Sequence, residues 1–138
     1  MDDAFGLHRF LAAQEAVMPQ VLAELHAGRK RTHWMWFVFP QLRGLGTSAM
    51  AHRYGLASLE EARAFLAHPV LGPRLRACAA LVLAAPGTAH DILGTPDELK
   101  FRSCMTIFAA ADAAETLFPA LLVRFFGGQP DPRTLALL

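Results

Sequence analysis

Apolar residues recur every three to four positions between regularly placed proline and glycine stops, and no stretch alternates with the period of two that a half-buried strand requires. That pattern confines the chain to helices. Leu7, Phe10 and Leu11 predict a short helix over about 6–14. Val17, Val21 and Leu25 predict a second, in which Pro19 fits only the first turn and Gly28 marks the end. The apolar run at 33–39 is too short to assign by period; it is read as a short helix ended by Pro40. Ser48 caps a helix reaching about 54. Ser58-Leu59-Glu60-Glu61 reads as a capping box in which Glu61 reaches back to the Ser58 amide. Beyond His68-Pro69 a helix covers about 70–84. Every residue from 78 to 85 is apolar, so this helix is expected to be the most buried element. Thr88-Ala89-His90-Asp91 starts a single turn ending at Gly94. Thr95-Pro96-Asp97-Glu98, with Thr95 as N-cap and proline at the first helical position, opens a helix to about 110. A last long helix is predicted over about 112–126, stopped by Gly127-Gly128, and Asp131-Pro132 starts a closing turn. The expected fold is all-α, one compact multihelical bundle built around the helix at 70–84.

Length and charge restrict function more than they reveal it. A chain of 138 residues is one domain's worth and buries enough surface to fold without staples. Its formal net charge of +1 supplies no long-range field to gather nucleic acid or an anionic membrane, so any anion site must be local. The acidic start at Met1-Asp2-Asp3 is unlike a secretory signal, and no apolar run is long enough to span a bilayer. Cys78 and Cys104, each set in an apolar pattern, suggest reduced core thiols and a cytoplasmic location. The six histidines, His8, His26, His33, His52, His68 and His90, lack metal-ligand spacing, and no motif asks for a metal or another cofactor.

One stretch does not read as ordinary amphipathic helix. Residues 29–48 hold both tryptophans, a basic triplet, His33, Gln41 and the turn Arg43-Gly44-Leu45-Gly46-Thr47-Ser48. Aromatic faces beside fixed positive charge suit a planar anionic ligand such as a nucleotide. Glycine-turn amides leading into a helix start can cradle a phosphate, with Arg43 at the edge. Neither a Walker A sequence nor a dinucleotide fingerprint is present. Blander readings stand beside each feature: a solvated helix end for Arg29 and Arg31, core packing for Trp34 and Trp36, an N-cap for Ser48. Farther along, Lys100, Ser103 and Thr106 share one face of an otherwise apolar helix, and Lys30 and Lys100 are the chain's two lysines.

The residues Gly28-x-Lys30-x-x-His33-Trp34-Met35-Trp36-Phe37-x-Phe39-Pro40-Gln41, His68-Pro69-x-Leu71, Asp97-x-x-Lys100-x-x-Ser103-x-Met105-Thr106-x-Phe108 and Phe126-Gly127-Gly128-x-x-Asp131-x-x-Thr134-Leu135 resemble the bacterial family designated domain of unknown function 1810. The resemblance spans nearly the whole chain and implies a small all-α cytoplasmic protein; it carries no activity. Some members bear a calpastatin label, which implies a disordered repetitive inhibitor, and this chain has no repeats. A more distant similarity, in the order of the aromatic motif, the Lys-x-x-Ser-x-Met helix and the Asp-x-x-Thr-Leu turn, is to the NADAR proteins, which process NAD- or ADP-ribose-related compounds. That likeness implies cleavage at an anomeric carbon, for which Lys30, Lys100, Asp97 and Asp131 are the available groups.

Two functions follow as expectations. The first is a pocket for a nucleotide or ADP-ribose-like ligand. Its binding groups would be His33, Trp34, Trp36, Gln41, Arg43, Gly44, Gly46, Ser48, Ser103 and Thr106, with Lys30, Lys100 and Asp131 as catalytic candidates. Lys100 should then face a polar cavity within a helix diameter of His33 and Trp36. The second is a non-catalytic adaptor that docks a protein partner on a Trp-rich surface. General nucleic-acid binding and membrane association are not expected.

Overall fold

The computed structural model describes residues 3–138. Ten helices follow in order among them: α1 His8–Glu15, α2 Met18–His26, α3 Met35–Val38, α4 Ala49–Tyr54, α5 Leu59–Ala67, α6 Leu71–Ala84, α7 Ala89–Leu93, α8 Asp97–Ala111, α9 Leu117–Phe126 and α10 Pro132–Leu137. The all-α expectation holds, and the punctuation accounts for most boundaries. Pro19 lies in the first turn of α2, Ser48 accepts the Ala51 amide at the start of α4, and Gly127 takes the left-handed conformation that ends α9. Thr88 and Asp91 form a complete capping box on α7.

Three local expectations are corrected. Ser58 does accept the Glu61 amide, but the Glu61 side chain turns away from the Ser58 amide: its carboxylate accepts from the Ala57 amide at 2.9 Å and from Arg9 at 2.7 Å. Thr95 does not cap α8. The position before Asp97 is Pro96, and the Thr95 hydroxyl instead donates to the Glu98 carboxylate. The last long helix begins at Leu117 rather than near 112, because the Asp112 carboxylate binds the Ala114 amide and holds that stretch in a turn.

The centre of the bundle is α8 and not the helix at 70–84. Helix α6 buries Leu71, Leu75, Cys78, Ala79 and Val82 on one face but exposes Pro73, Ala77, Ala80 and Ala84 on the other. In α8 every residue from 103 to 108 is buried, and α5, α7, α9 and α10 all pack against it. Alanine explains the discrepancy: it leaves so little apolar surface in water that an all-apolar run rich in it need not be covered.

Aromatic rings thread the core. Phe10 meets Phe65 edge-on at 5.1 Å between centroids; Phe65, Phe108 and Phe118 continue the chain; Trp34, Phe39 and Phe101 make a second. Phe39 and Phe101, 4.9 Å apart and nearly perpendicular, join α3's exit to α8. The loop that follows Pro40 is stapled by an isolated parallel bridge between Leu42 and Leu56, with the Arg43 amide on the Leu56 carbonyl at 2.7 Å. Those two contacts fix the loop at 40–47 opposite α8.

Candidate functional site

The site begins in the turn after α2. Glu24 is 3% exposed, and its carboxylate accepts from the amides of Arg31 and Thr32, the Thr32 hydroxyl, the Gln20 side chain and the Trp34 indole N–H, all within 3.0 Å. Burial opposes its ionisation, but donors from Thr32, Arg31 and Gln20 outweigh that and hold the carboxyl well below the usual range. On the other side the Lys30 amide donates to the Ile92 carbonyl at 2.7 Å. With its backbone pinned from both directions, the turn carries the Lys30 side chain, 7% exposed, onto Asp97 at 2.8 Å.

Asp97 stands at the first position of α8, and Lys100 one turn later reaches its other oxygen at 3.7 Å. Each lysine lies over an indole: Lys30 is 5.1 Å from the Trp34 ring centroid, and Lys100 is 4.9 Å from that of Trp36. The chain's two lysines thus converge on one carboxylate, each lying over one of its two tryptophans.

Beside this cluster runs a cleft of about 380 Å³. The loop after α3 supplies Gln41, Leu45 and Gly46 to one side; α8 and the segment before α10 supply Lys100, Ser103 and Asp131 to the other, with Arg102 and Arg133 also on its lining. A narrow slot of about 10 Å³, lined by Trp36 and Tyr54 among others, shares Gln41 and Lys100 with the cleft, so the two adjoin. Gly46 is required by packing, since a Cβ there would come within 2.8 Å of the Ala51 side chain.

Asp131 does two things at once. Its Oδ2 caps α10 by accepting the Thr134 amide and hydroxyl, and it also accepts the Ser103 hydroxyl at 2.9 Å; its own amide donates to Thr106. Among the described residues Oδ1 has no hydrogen-bond partner. Burial pushes the carboxyl upward, but the Thr134 and Ser103 hydroxyls and the Thr134 and Arg133 amides pull it below its ordinary value.

Six of the residues expected at a site therefore meet: Trp36, Gln41, Gly46, Lys100, Ser103 and Asp131. Lys100 is indeed beside Trp36. The others lie elsewhere. Trp34 is 1% exposed in the core, His33 is on the surface, and Thr106 is buried behind Asp131. Arg43 is exposed and directs its guanidinium to the carbonyls of His52 and Gly55, while Gly44 lies against Leu137. Ser48 spends its hydroxyl on the Ala51 amide. Lys30 borders a separate depression with Arg29 and His90. Sequence reasoning missed Glu24, Arg102 and Arg133, and it named Asp97 as part of a helix start and as a group available for cleavage, not as the partner of both lysines. The sequence signal for that pairing was the spacing of three between Asp97 and Lys100. Cys78 and Cys104 are free and buried, and burial pushes the Cys78 thiol up to about 12, as befits inert core thiols.

Among the described residues no three His, Cys, Asp or Glu side chains are grouped so as to hold a metal ion, and no helix is long and apolar enough to cross a membrane. Residues 4–138 match the family described as protein of unknown function, DUF1810. No curated protein matches the chain. Among solved structures it is similar to the conserved hypothetical protein Rv1873 from Mycobacterium tuberculosis, determined by crystallography at 1.38 Å. The two are 56% identical with a TM-score of 0.97, over 99% of this chain and 98% of that one. The chain belongs to the DUF1810 family.

Proposed function

We propose that this DUF1810 member is a cytoplasmic binding domain for a planar anionic small molecule of the nucleotide or ADP-ribose-like class, held in the cleft between the loop after α3 and α8. The observation that carries the reading is the placement of the Lys100 ammonium 4.9 Å from the Trp36 ring, where slot and cleft join. An aromatic ring and a cation at one junction offer an apolar edge for a planar ligand to pack against and charge for its phosphate. A cleft of about 380 Å³ lies in the range that small ligands occupy. Gln41 can pair with a base edge, and Asp131, which lines the cleft and has no partner on Oδ1 among the described residues, can accept from ribose hydroxyls.

The chemistry such a site would support is N-glycosidic hydrolysis. Water gives its hydroxyl to the anomeric carbon, the C–N bond breaks with its electron pair on the base nitrogen, and that nitrogen takes the remaining proton. In this reading Asp131, on the cleft lining, is the group that would face the positive charge that develops on the sugar. An adaptor role through a Trp-rich surface has less support, because Trp34 is in the core and Trp36 is partly buried at a concavity.

A thermal-shift screen with AMP, ADP, ADP-ribose and NAD tests the reading. A ligand at a hundredfold excess over its Kd should add about 2.7 kcal/mol of stability, and Lys100→Met should abolish the gain. If none of the four moves the melting temperature at millimolar concentration, the nucleotide reading fails. If one binds but chromatography finds no released base, the domain binds without hydrolysing.

A further inference from the structure

The two lysines hold Asp97 unequally. Lys30 is almost fully buried and makes the tight contact at 2.8 Å, whereas Lys100 is 25% exposed and stands off at 3.7 Å. Only Lys100 borders the cleft; Lys30 borders the depression beyond it. From this asymmetry we infer that Lys30 is a positioning residue for the cleft: it neutralises Asp97 permanently, so that Lys100 can leave Asp97 for an incoming anion.

The physical reason is the charge left behind. If Lys100 alone balanced Asp97, turning its ammonium toward a phosphate would leave a carboxylate, 17% exposed, without a counter-ion beside that phosphate. Repulsion between the two anions would then oppose binding. With Lys30 in its 2.8 Å contact, Asp97 stays compensated throughout, and the long Lys100 contact costs little to break. The Trp36 ring keeps the freed ammonium near the cleft, since the cation–π contact does not depend on Asp97. The backbone on both sides of Lys30 is fixed by Glu24 and by the Ile92 carbonyl, so its side chain cannot follow Lys100 into the cleft.

This inference rests on the anion-binding reading of the cleft, and its test separates the two. Titration calorimetry with AMP is run on the parent, Lys30→Met, Asp97→Asn and the Lys30→Met/Asp97→Asn pair, with melting temperatures confirming that each is folded. Lys30→Met should weaken AMP binding about tenfold although Lys30 does not line the cleft, and adding Asp97→Asn should restore it to within about threefold of the parent. Equal affinity of Lys30→Met and the parent, or no rescue in the double variant, overturns the inference while leaving the cleft a nucleotide site.

A second readout needs no ligand. Acylation by an N-hydroxysuccinimide ester, followed by mass spectrometry, should label Lys100 several-fold faster than Lys30 in the parent. In Lys30→Met, where Asp97 recaptures it, Lys100 should label more slowly. An unchanged Lys100 rate sinks the inference even if no nucleotide binds; absence of AMP binding with a slowed Lys100 rate sinks only the choice of ligand.

Discussion

Two carboxylates, Glu24 and Asp131, each organise a turn, and they differ in what they leave over. Glu24 receives five donors shared between both oxygens and is sealed from water. Asp131 gathers three donors on one oxygen and borders a cleft with the other unpaired among the described residues. A carboxylate whose acceptor capacity is filled by its own chain can only be structural; one with capacity to spare at a concave surface is available to a ligand. The tryptophans divide in the same way. Trp34 gives its N–H to Glu24 and is buried, while Trp36 remains partly open in the slot.

The largest effect expected from this contrast is at Glu24. Glu24→Gln replaces an acceptor-only group by one that turns a donor toward N–H groups already aimed at it, so the cost should be about 3 kcal/mol or more. Urea denaturation measures it. The sign with pH follows from a folded-state carboxyl held below the ordinary value of 4.5: the contribution is complete above that value and is lost as pH falls beneath it. Ligand affinity per folded molecule should fall no further than in Lys30→Met, because Glu24 acts on the cleft only through the turn that carries Lys30. A variant as stable as the parent would mean that the donors around Glu24 find other partners.

The helix starts and stops could be read because proline, glycine and short polar side chains act over one turn, where sequence is structure. Ser48, Gly127 and the Thr88–Asp91 box work that way. Burial could not be read so well, because it depends on what packs opposite. Ser103 and Thr106 disguised α8 as half-polar, yet both are buried: Thr106 donates to a carbonyl one turn back and accepts the Asp131 amide, while Ser103 shares its one hydroxyl proton between the Leu99 carbonyl and the Asp131 carboxylate. At the site, Lys100, Ser103 and Asp131 were legible as polar groups on apolar or turn-forming stretches. Their meeting with Trp36 and Gln41 is tertiary, made by the Phe39–Phe101 contact and the Leu42–Leu56 bridge. Glu24 was hidden because an acid on a helix face usually marks solvent, and nothing local shows that the next turn folds back over it.

Asp131→Asn should have an intermediate effect, and a mixed one. An asparagine oxygen still caps α10 but accepts the Thr134 and Ser103 hydroxyls less strongly, which should cost about 1 kcal/mol. Since the folded carboxyl lies below its ordinary 3.8, that loss should be seen at neutral pH and should vanish as pH falls beneath the carboxylate range. Unlike Glu24→Gln, the variant should also lose nucleotide affinity or base release directly, not through Lys30. If it loses stability alone, Asp131 is a cap like any other, and the contrast between the carboxylates dissolves.

The smallest effect is expected at Arg43, where the same accounting is applied to a cation. Its guanidinium donates to the His52 carbonyl at 3.0 Å and to the Gly55 carbonyl at 3.1 Å from an exposed position, outside the residues that line the cleft. Arg9 also donates to the Gly55 carbonyl, so that acceptor keeps a partner when Arg43 is removed. Exposed hydrogen bonds of this kind are readily replaced by water, and Arg43→Ala should shift stability by about 0.5 kcal/mol or less. AMP affinity should stay within about twofold of the parent, in contrast to the loss expected for Lys100→Met, because surface charge at a distance is screened within about 8 Å at physiological salt. A large loss of affinity in Arg43→Ala would relocate the anion site to the glycine turn at 43–48 and would make Lys100, over Trp36, a structural contact after all.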